Sequence, residues 1–139
     1  MNGRLDWTEL WFSSAGRLTR APFLLAGATL IAVAGLYEAL VAPPARWVVG
    51  ILVYPALWYC GATITAKRLH DRGRSGWWAA IVLAAVIAVW TSQQNYLDFL
   101  FSLVLVWAAI ELGAMPGEPG ANRYGPNPLR PSVSLAEGR

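Results

Sequence analysis

The sequence is poor in charged residues and in the side chains that build most metal centres. Only 14% of its 139 residues are Asp, Glu, Lys or Arg, whereas a soluble domain carries about 25%. Cys60 is the single cysteine and His70 the single histidine, which excludes an internal disulfide, a cysteine metal cluster and a multi-histidine metal site. The shortage of charge excludes intrinsic disorder, a nucleic-acid-binding module and most small soluble enzymes.

Apolar residues make up 56% of the chain, and they are concentrated in long runs. Because the hydrocarbon core of a bilayer is about 30 Å thick, a helix that spans it needs about 20 mostly apolar residues. Runs that reach or approach this length occupy residues 22–42, 47–66, 77–93 and 96–115. The sequence therefore predicts an all-α integral membrane protein with four transmembrane helices.

The boundary between the third and fourth spans depends on one polar interruption. The apolar region over residues 77–112 is interrupted by TSQQN at residues 91–95. A single helix through the whole region would be about 54 Å long at about 1.5 Å per residue, which is far longer than a bilayer is thick. The chain is therefore expected to turn back at the interruption, and the third span is short.

The segments outside the spans differ in character. In residues 1–21, Trp7, Leu10 and Trp11 have helical spacing, which predicts a short helix in the membrane interface. Because this helix is too short to be stable alone, we expect it to pack against the helix bundle. Residues 116–139 are rich in Gly and Pro and are predicted to form an irregular, flexible cytoplasmic tail. Docking of Tyr124 and Pro126 on the cytoplasmic face is the alternative for this tail.

Basic residues alternate in number between the two ends of the predicted spans. The segments before the first span, between the second and third, and after the fourth contain three, four and three of the eleven Lys and Arg residues. The other two loops contain only Arg46 and no basic residue, respectively. Because short cytoplasmic loops are enriched in Lys and Arg, both termini are predicted to be cytoplasmic. The net charge of +3 then reflects topology rather than nucleic-acid binding.

The most polar segment lies between the second and third spans and reads AKRLHDRGRSGWW at residues 66–78. This string resembles the hallmark motif of the bacterial inner-membrane family known as domain of unknown function 805. WFSSAGRLTRAPF at residues 11–23 resembles the family's N-terminal pattern, and NRYGPNP at residues 122–128 resembles its C-terminal signature. The resemblance implies a four-span membrane protein, and it transfers no catalytic residues because the family has no established activity.

Two interpretations of the segment at residues 66–78 stay open. As a binding site, its basic side chains reach the phosphates of lipid headgroups while tryptophans anchor in the interface. As a structural element, it supplies topogenic charge and a tight turn, with Gly73 in a left-handed conformation at the end of the second helix. The candidate contacts to an anionic headgroup or a partner are Lys67, Arg68, His70, Arg72, Arg74, Trp77 and Trp78.

Glu111 is an ionisable residue inside the fourth predicted span. A carboxylate at this depth is costly unless it has a partner. It lies about 15 residues into the span, or about 22 Å by helical rise, which places it near the cytoplasmic side. We expect a structural ion pair between Glu111 and an arginine of the second loop or the N-terminal segment, such as Arg17 or Arg68.

The sequence offers no convergent set of nucleophile, base and metal ligands, although His70 and Asp71 are adjacent. We therefore predict a membrane protein that is not an enzyme and that uses no cofactor or metal. It is expected to act in the bacterial inner membrane as an interaction, scaffold or accessory subunit, in contact with anionic phospholipids and with a protein partner or a second copy of itself. A transporter or channel component and an anionic-lipid-processing enzyme are the alternatives.

Overall fold

The computed structural model describes residues 7–91 and 96–130, and these residues are helical apart from short connections and the tail. Parts of the predicted segments 1–21, 77–93 and 116–139 lie outside the described residues. An isolated antiparallel bridge between Asn122 and Gly125 is the one β-type pairing in the described ranges. The helices are α1 (Trp7–Phe12), α2 (Arg20–Leu40), α3 (Pro43–Asp71), α4 (Trp78–Thr91) and α5 (Tyr96–Ala108), with α5 continuing as a π-helical turn (Ala109–Ala114).

Three of these helices are long and apolar enough to cross a bilayer. They are α2 with 21 residues, α3 with 29, and α5 with its π-helical turn, which together have 19. The described part of α4 is apolar but has only 14 residues, or about 21 Å at about 1.5 Å per residue. Within residues 7–91 and 96–130 the structure therefore has three helices of spanning length and one shorter apolar helix.

The second predicted span is longer in the structure than in the sequence analysis. α3 continues to Asp71, so Lys67, Arg68 and His70 lie on its last turns and not in a loop. Gly73 ends the helix with a φ of 68°. Its N–H donates to the carbonyl of His70 at 3.0 Å, and the N–H of Arg74 donates to the carbonyl of Leu69 at 2.9 Å. This pair of bonds is a Schellman motif, and it allows the helix to run as far as Asp71.

Gly73→Ala tests this helix end. Alanine in the left-handed region costs about 1–2 kcal/mol, and its Cβ would also meet the Glu118 carboxylate. We expect a lower thermal unfolding midpoint in detergent micelles. Gly27→Ala is the matched control, because Gly27 is helical with nothing within 4 Å of an added Cβ, and alanine there gains helix propensity. Equal midpoints for the two variants would contradict the assigned role of Gly73.

Buried residues are concentrated at one end of the bundle, where α2 begins, α3 ends, α4 begins and the π-helical turn ends. We call this the charged end. One apolar cluster there joins Leu10 of α1 to Leu18, Ala26 and Ile64. A second cluster joins the last turns of α3 and α5 to the start of α4, with Leu69 completely buried. Away from the charged end the helices present exposed apolar side chains, including Ile31, Leu52 and Phe99, as surfaces in contact with lipid do.

The opposite end of the bundle, where α2 meets α3, is held by a smaller set of contacts. The guanidinium of Arg46 pairs with Glu38 at 3.0 Å, with both side chains about one-third exposed. The hydroxyl of Tyr37 donates to the carbonyl of Arg46 at 2.5 Å, and the hydroxyl of Tyr54 donates to Glu38. These contacts fix the short α2–α3 connection and leave the charged end as the candidate functional region.

Candidate functional site

Asp71 is the centre of a buried ion cluster at the charged end. Its Oδ1 accepts from Nε of Arg17 at 3.0 Å, and its Oδ2 accepts from a terminal nitrogen of Arg68 at 2.5 Å. The three side chains are at most 4% exposed. Two buried guanidinium groups therefore share one carboxylate. We call these three residues the Asp71 cluster.

Arg68 also holds the end of α5. Its Nε donates to the carbonyl of Leu112 at 2.8 Å, and a terminal nitrogen donates to the carbonyl of Met115 at 2.5 Å. The last carbonyls of a helix have no hydrogen-bond partner within the helix. The planar guanidinium supplies several donors in a fixed arrangement, so Arg68 connects α3 to the last residues of the π-helical turn.

Arg17 holds the C-terminal tail against the bundle. Its two terminal nitrogens donate to the carbonyls of Glu118 and Gly120, each at 2.6 Å. The N–H of Glu118 donates to the backbone carbonyl of Asp71 at 2.8 Å. The tail was predicted to be flexible, with docking of Tyr124 as the alternative. Its described part folds back over the charged end, because Arg17 and α3 supply partners for its backbone and His70 stacks on Tyr124. Residues 131–139 of that prediction lie outside the described residues.

Glu111 is paired with arginines other than the two expected. Its Oε1 lies 3.1 Å from Arg72 and 3.0 Å from Arg74, while Arg17 and Arg68 contact Asp71. The expected class of partner, an arginine of the second loop, is observed, but the named residues are corrected. The physical reason is that α3 stays helical through Arg68, which places Arg68 three residues before Asp71 on the same helix face.

His70 lies beside the Asp71 cluster but has separate contacts. Its Nδ1 is 3.1 Å from the carbonyl of Gly16. Its ring stacks on Tyr124, with a centroid separation of 3.8 Å and an interplanar angle of 9°. The amide of Asn122 donates to the backbone carbonyl of His70 at 2.9 Å. His70 and Asp71 therefore do not act as one acid–base pair in this conformation, since Asp71 is bound by arginines and His70 by the N-terminal segment and the tail.

The residues predicted to contact headgroups divide into an inner and an outer set. Lys67 and Arg68 are 4% and 0% exposed, and Lys67 donates to the carbonyl of Glu9, so the headgroup prediction is corrected for these two. Arg72 and Arg74 keep 21% and 42% of their side chains exposed beside Glu111. The outer set is completed by His70, which is half-buried, and by the exposed Trp77 and Trp78.

Several important residues were not identified from the sequence. Asp71 was considered only as a neighbour of His70, although the absence of other acidic residues in the basic segment could have marked it as the counter-ion. Asn127 is 7% exposed, and its amide donates to the carbonyl of Pro119 at 2.7 Å, which closes the tail. Within residues 7–91 and 96–130, no three His, Cys, Asp or Glu side chains are grouped so that they could hold a metal ion.

These observations define the class of the protein. Apolar helices of spanning length, exposed apolar outer faces and polar groups gathered at one end describe a helical membrane protein. The family model described as "Protein of unknown function (DUF805)" matches residues 11–126. The chain belongs to this family. The match includes the Asp71 cluster and the tail as far as Pro126.

Two curated relatives agree with the family assignment. "Uncharacterized protein YiiR" of Escherichia coli strain K12 is 37% identical over 136 residues, which cover 88% of this chain and 80% of the relative. "Inner membrane protein YhaH" of the same strain is 33% identical over 79 residues, which cover 57% of this chain and 48% of the relative. No solved structure matches the chain. The name of YhaH supports a membrane protein, and neither name assigns an activity.

Proposed function

We propose that the protein is a non-catalytic subunit of the bacterial inner membrane that acts through contacts with other membrane components, as a scaffold or accessory protein. In this proposal the chain crosses the membrane four times, and both termini and the charged end are cytoplasmic. The alternation of basic residues along the sequence supports this orientation. The relative YhaH is named an inner membrane protein, which supports the inner membrane as the location.

The observation that carries the proposal is the use of the buried ionisable groups in internal contacts. Asp71 is occupied by Arg17 and Arg68, and Glu111 is occupied by Arg72 and Arg74. An active site needs an acid, base or nucleophile that can reach a substrate. These charges instead join the N-terminal segment, α3, α5 and the tail into one folded unit, and such a unit suits a protein that presents surfaces.

The surfaces available for contact are of two kinds. The outer faces of the helices are apolar, with Ile31 and Leu52 each 76% exposed, and they can pack against a membrane partner or a second copy of the chain. At the charged end, Arg74 and Trp77 are exposed. In the orientation that we propose, they lie at the cytoplasmic surface of the membrane. A guanidinium and an indole at this level are suited to anionic phospholipid headgroups.

Site-specific photocrosslinking in intact cells tests the proposed function. A photoreactive amino acid is introduced singly at Ile31, Leu52 and Phe99, which are exposed positions on α2, α3 and α5. We expect one position to yield a discrete protein adduct of fixed mass, either with a partner or with a second copy. Crosslinking at Ala85, which is completely buried, is the matched control and should give no intermolecular adduct. If all three exposed positions label only lipid, the protein does not act through a protein partner on these faces.

A further inference from the structure

An open groove of about 540 Å³ lies between α3 and α4 at the charged end. Its apolar part is formed by Ala62 and Ala66 of α3 and by Ala79, Ala80 and Leu83 of α4. Ala62 and Ala66 are one helical turn apart and lie on the same face of α3. Their small side chains leave space between the two helices, and the groove follows the helices away from the charged end.

The mouth of the groove is polar. It is lined by Ser14, His70, Ser75 and Tyr124, which come from the N-terminal segment, α3, the α3–α4 connection and the tail. The guanidinium carbon of Arg123 lies 4.7 Å from the centroid of the Tyr124 ring. No Asp or Glu lines the groove among the described residues. The mouth therefore offers hydroxyl groups and one nearby positive charge, which together complement an anion.

Aromatic side chains flank the groove at both levels. Trp77 is 84% exposed at the mouth, and Tyr59 is 51% exposed further along α3. Amphipathic aromatic rings are enriched where hydrocarbon meets headgroups. Gly76 allows α4 to begin directly against α3, because a Cβ at this position would lie 2.9 Å from Nε2 of His70. The polar mouth and the apolar groove are thus joined where a bilayer changes from headgroup to acyl chain.

We propose that this groove binds one acyl chain of an anionic phospholipid, with the lipid phosphate at the mouth near Arg123. The proposal rests on the membrane orientation given under the proposed function. An acyl chain matches the alanine-lined groove because both are apolar, and its burial needs no polar partner. A phosphate matches the mouth because a guanidinium and hydroxyl groups are donors for its oxygens. Because the lining is polar at the mouth and apolar further along, the groove suits a lipid better than a polar peptide.

Filling the groove tests the position of the acyl chain. Ala80→Phe places a large ring in the groove, and Ala84→Phe places the same ring on an exposed part of α4 one turn further along, outside the groove. The probe is phosphatidylglycerol with a diazirine in its acyl chain, in nanodiscs of phosphatidylcholine. We expect about tenfold less labelling of peptides from α3 and α4 in Ala80→Phe, which corresponds to about 1.4 kcal/mol. Ala84→Phe should label as the unmodified protein does.

Changing the mouth tests the position of the phosphate. Arg123→Gln removes the nearby charge, and Arg130→Gln is the control because it also removes an exposed tail arginine that does not line or flank the groove. We expect Arg123→Gln to lower labelling by the phosphatidylglycerol probe severalfold and to leave labelling by a diacylglycerol with the same acyl chain unchanged. Arg130→Gln should change neither.

Two results would overturn the lipid proposal. One is equal labelling of Ala80→Phe and Ala84→Phe, and the other is labelling spread evenly over the exposed faces of α2 and α5. Thermal unfolding of each variant, measured in the same nanodiscs, separates loss of the groove from loss of the fold. Partner adducts from Ile31, Leu52 or Phe99 would persist if only the groove proposal failed, so the two proposals fail independently.

Discussion

Asp71→Asn should destabilise the protein by about 3–5 kcal/mol, the cost typical of breaking a buried ion pair by removing one partner. Asparagine keeps the size of the side chain but leaves the guanidinium groups of Arg17 and Arg68 buried without a counter-ion. Both groups are at most 1% exposed, so water cannot replace the carboxylate without local opening. The free energy of unfolding is measured by titrating sodium dodecyl sulfate into dodecylmaltoside micelles.

Glu38→Gln is the matched control for this experiment. It also neutralises a carboxylate that pairs with an arginine, but the Glu38 and Arg46 side chains are 37% and 33% exposed. Exposed pairs contribute about 0–1 kcal/mol, so Glu38→Gln should change stability much less. If both variants lost the same stability, the Asp71 cluster would not be the main electrostatic anchor of the fold.

Arg17→Gln should release the tail while the helices remain folded. The change removes charged hydrogen bonds to the carbonyls of Glu118 and Gly120, and a hydrogen bond to a charged group contributes about 1.5–3 kcal/mol. Asp71 keeps Arg68 as its counter-ion. We expect amide hydrogen exchange in the peptide over residues 116–130 to accelerate by about tenfold or more, since 1.4 kcal/mol corresponds to a factor of ten. Mass spectrometry of the protein in nanodiscs measures this exchange.

Arg20→Gln provides the comparison for the tail experiment. Arg20 belongs to the same region and donates to the carbonyl of Ala114 at 3.0 Å, but this bond is exposed and lies before the tail. Its loss should leave exchange in residues 116–130 nearly unchanged. Acceleration of similar size in both variants would mean that general loosening of the charged end, and not the bonds of Arg17, releases the tail.

The helical architecture could be predicted because it depends on local composition. Apolar runs of about 20 residues require a nonpolar surrounding, and the observed helices α2, α3 and α5 overlap the predicted spans. Local composition did not predict the residue at which α3 ends. The run of basic residues after 66 was interpreted as the start of a loop because charge ended the apolar pattern. The helix continues to Asp71 because the tail and the N-terminal segment bury those charges, and a hydropathy pattern does not contain that information.

The partners of the charged residues could be predicted only as a class. Glu111 requires a cation, and the sequence offers several at the same predicted depth. Which arginine pairs with Glu111 depends on the direction in which each side chain leaves its helix. Arg68 and Arg72 are four positions apart, and α3 ends between them. Because the position of this helix end was not known from the sequence, the choice between the two arginines could not be predicted. The folded tail was predicted only as the alternative to a flexible one, for a similar reason. Its anchors are backbone carbonyls, which every sequence contains, and the partner that selects them is Arg17, about one hundred residues earlier.

The hydrogen bonds from Arg17 to the tail also imply an order of folding. They join residues 101 and 103 positions apart, so Arg17 is synthesised well before its carbonyl partners. Contacts between such distant residues form slowly, and chains generally fold from the N-terminus during synthesis. We therefore expect the helices to form before the charged end closes. The protein reaches its native state only after translation has delivered the tail, and an unfinished chain in the membrane presents Arg17 without its carbonyl partners.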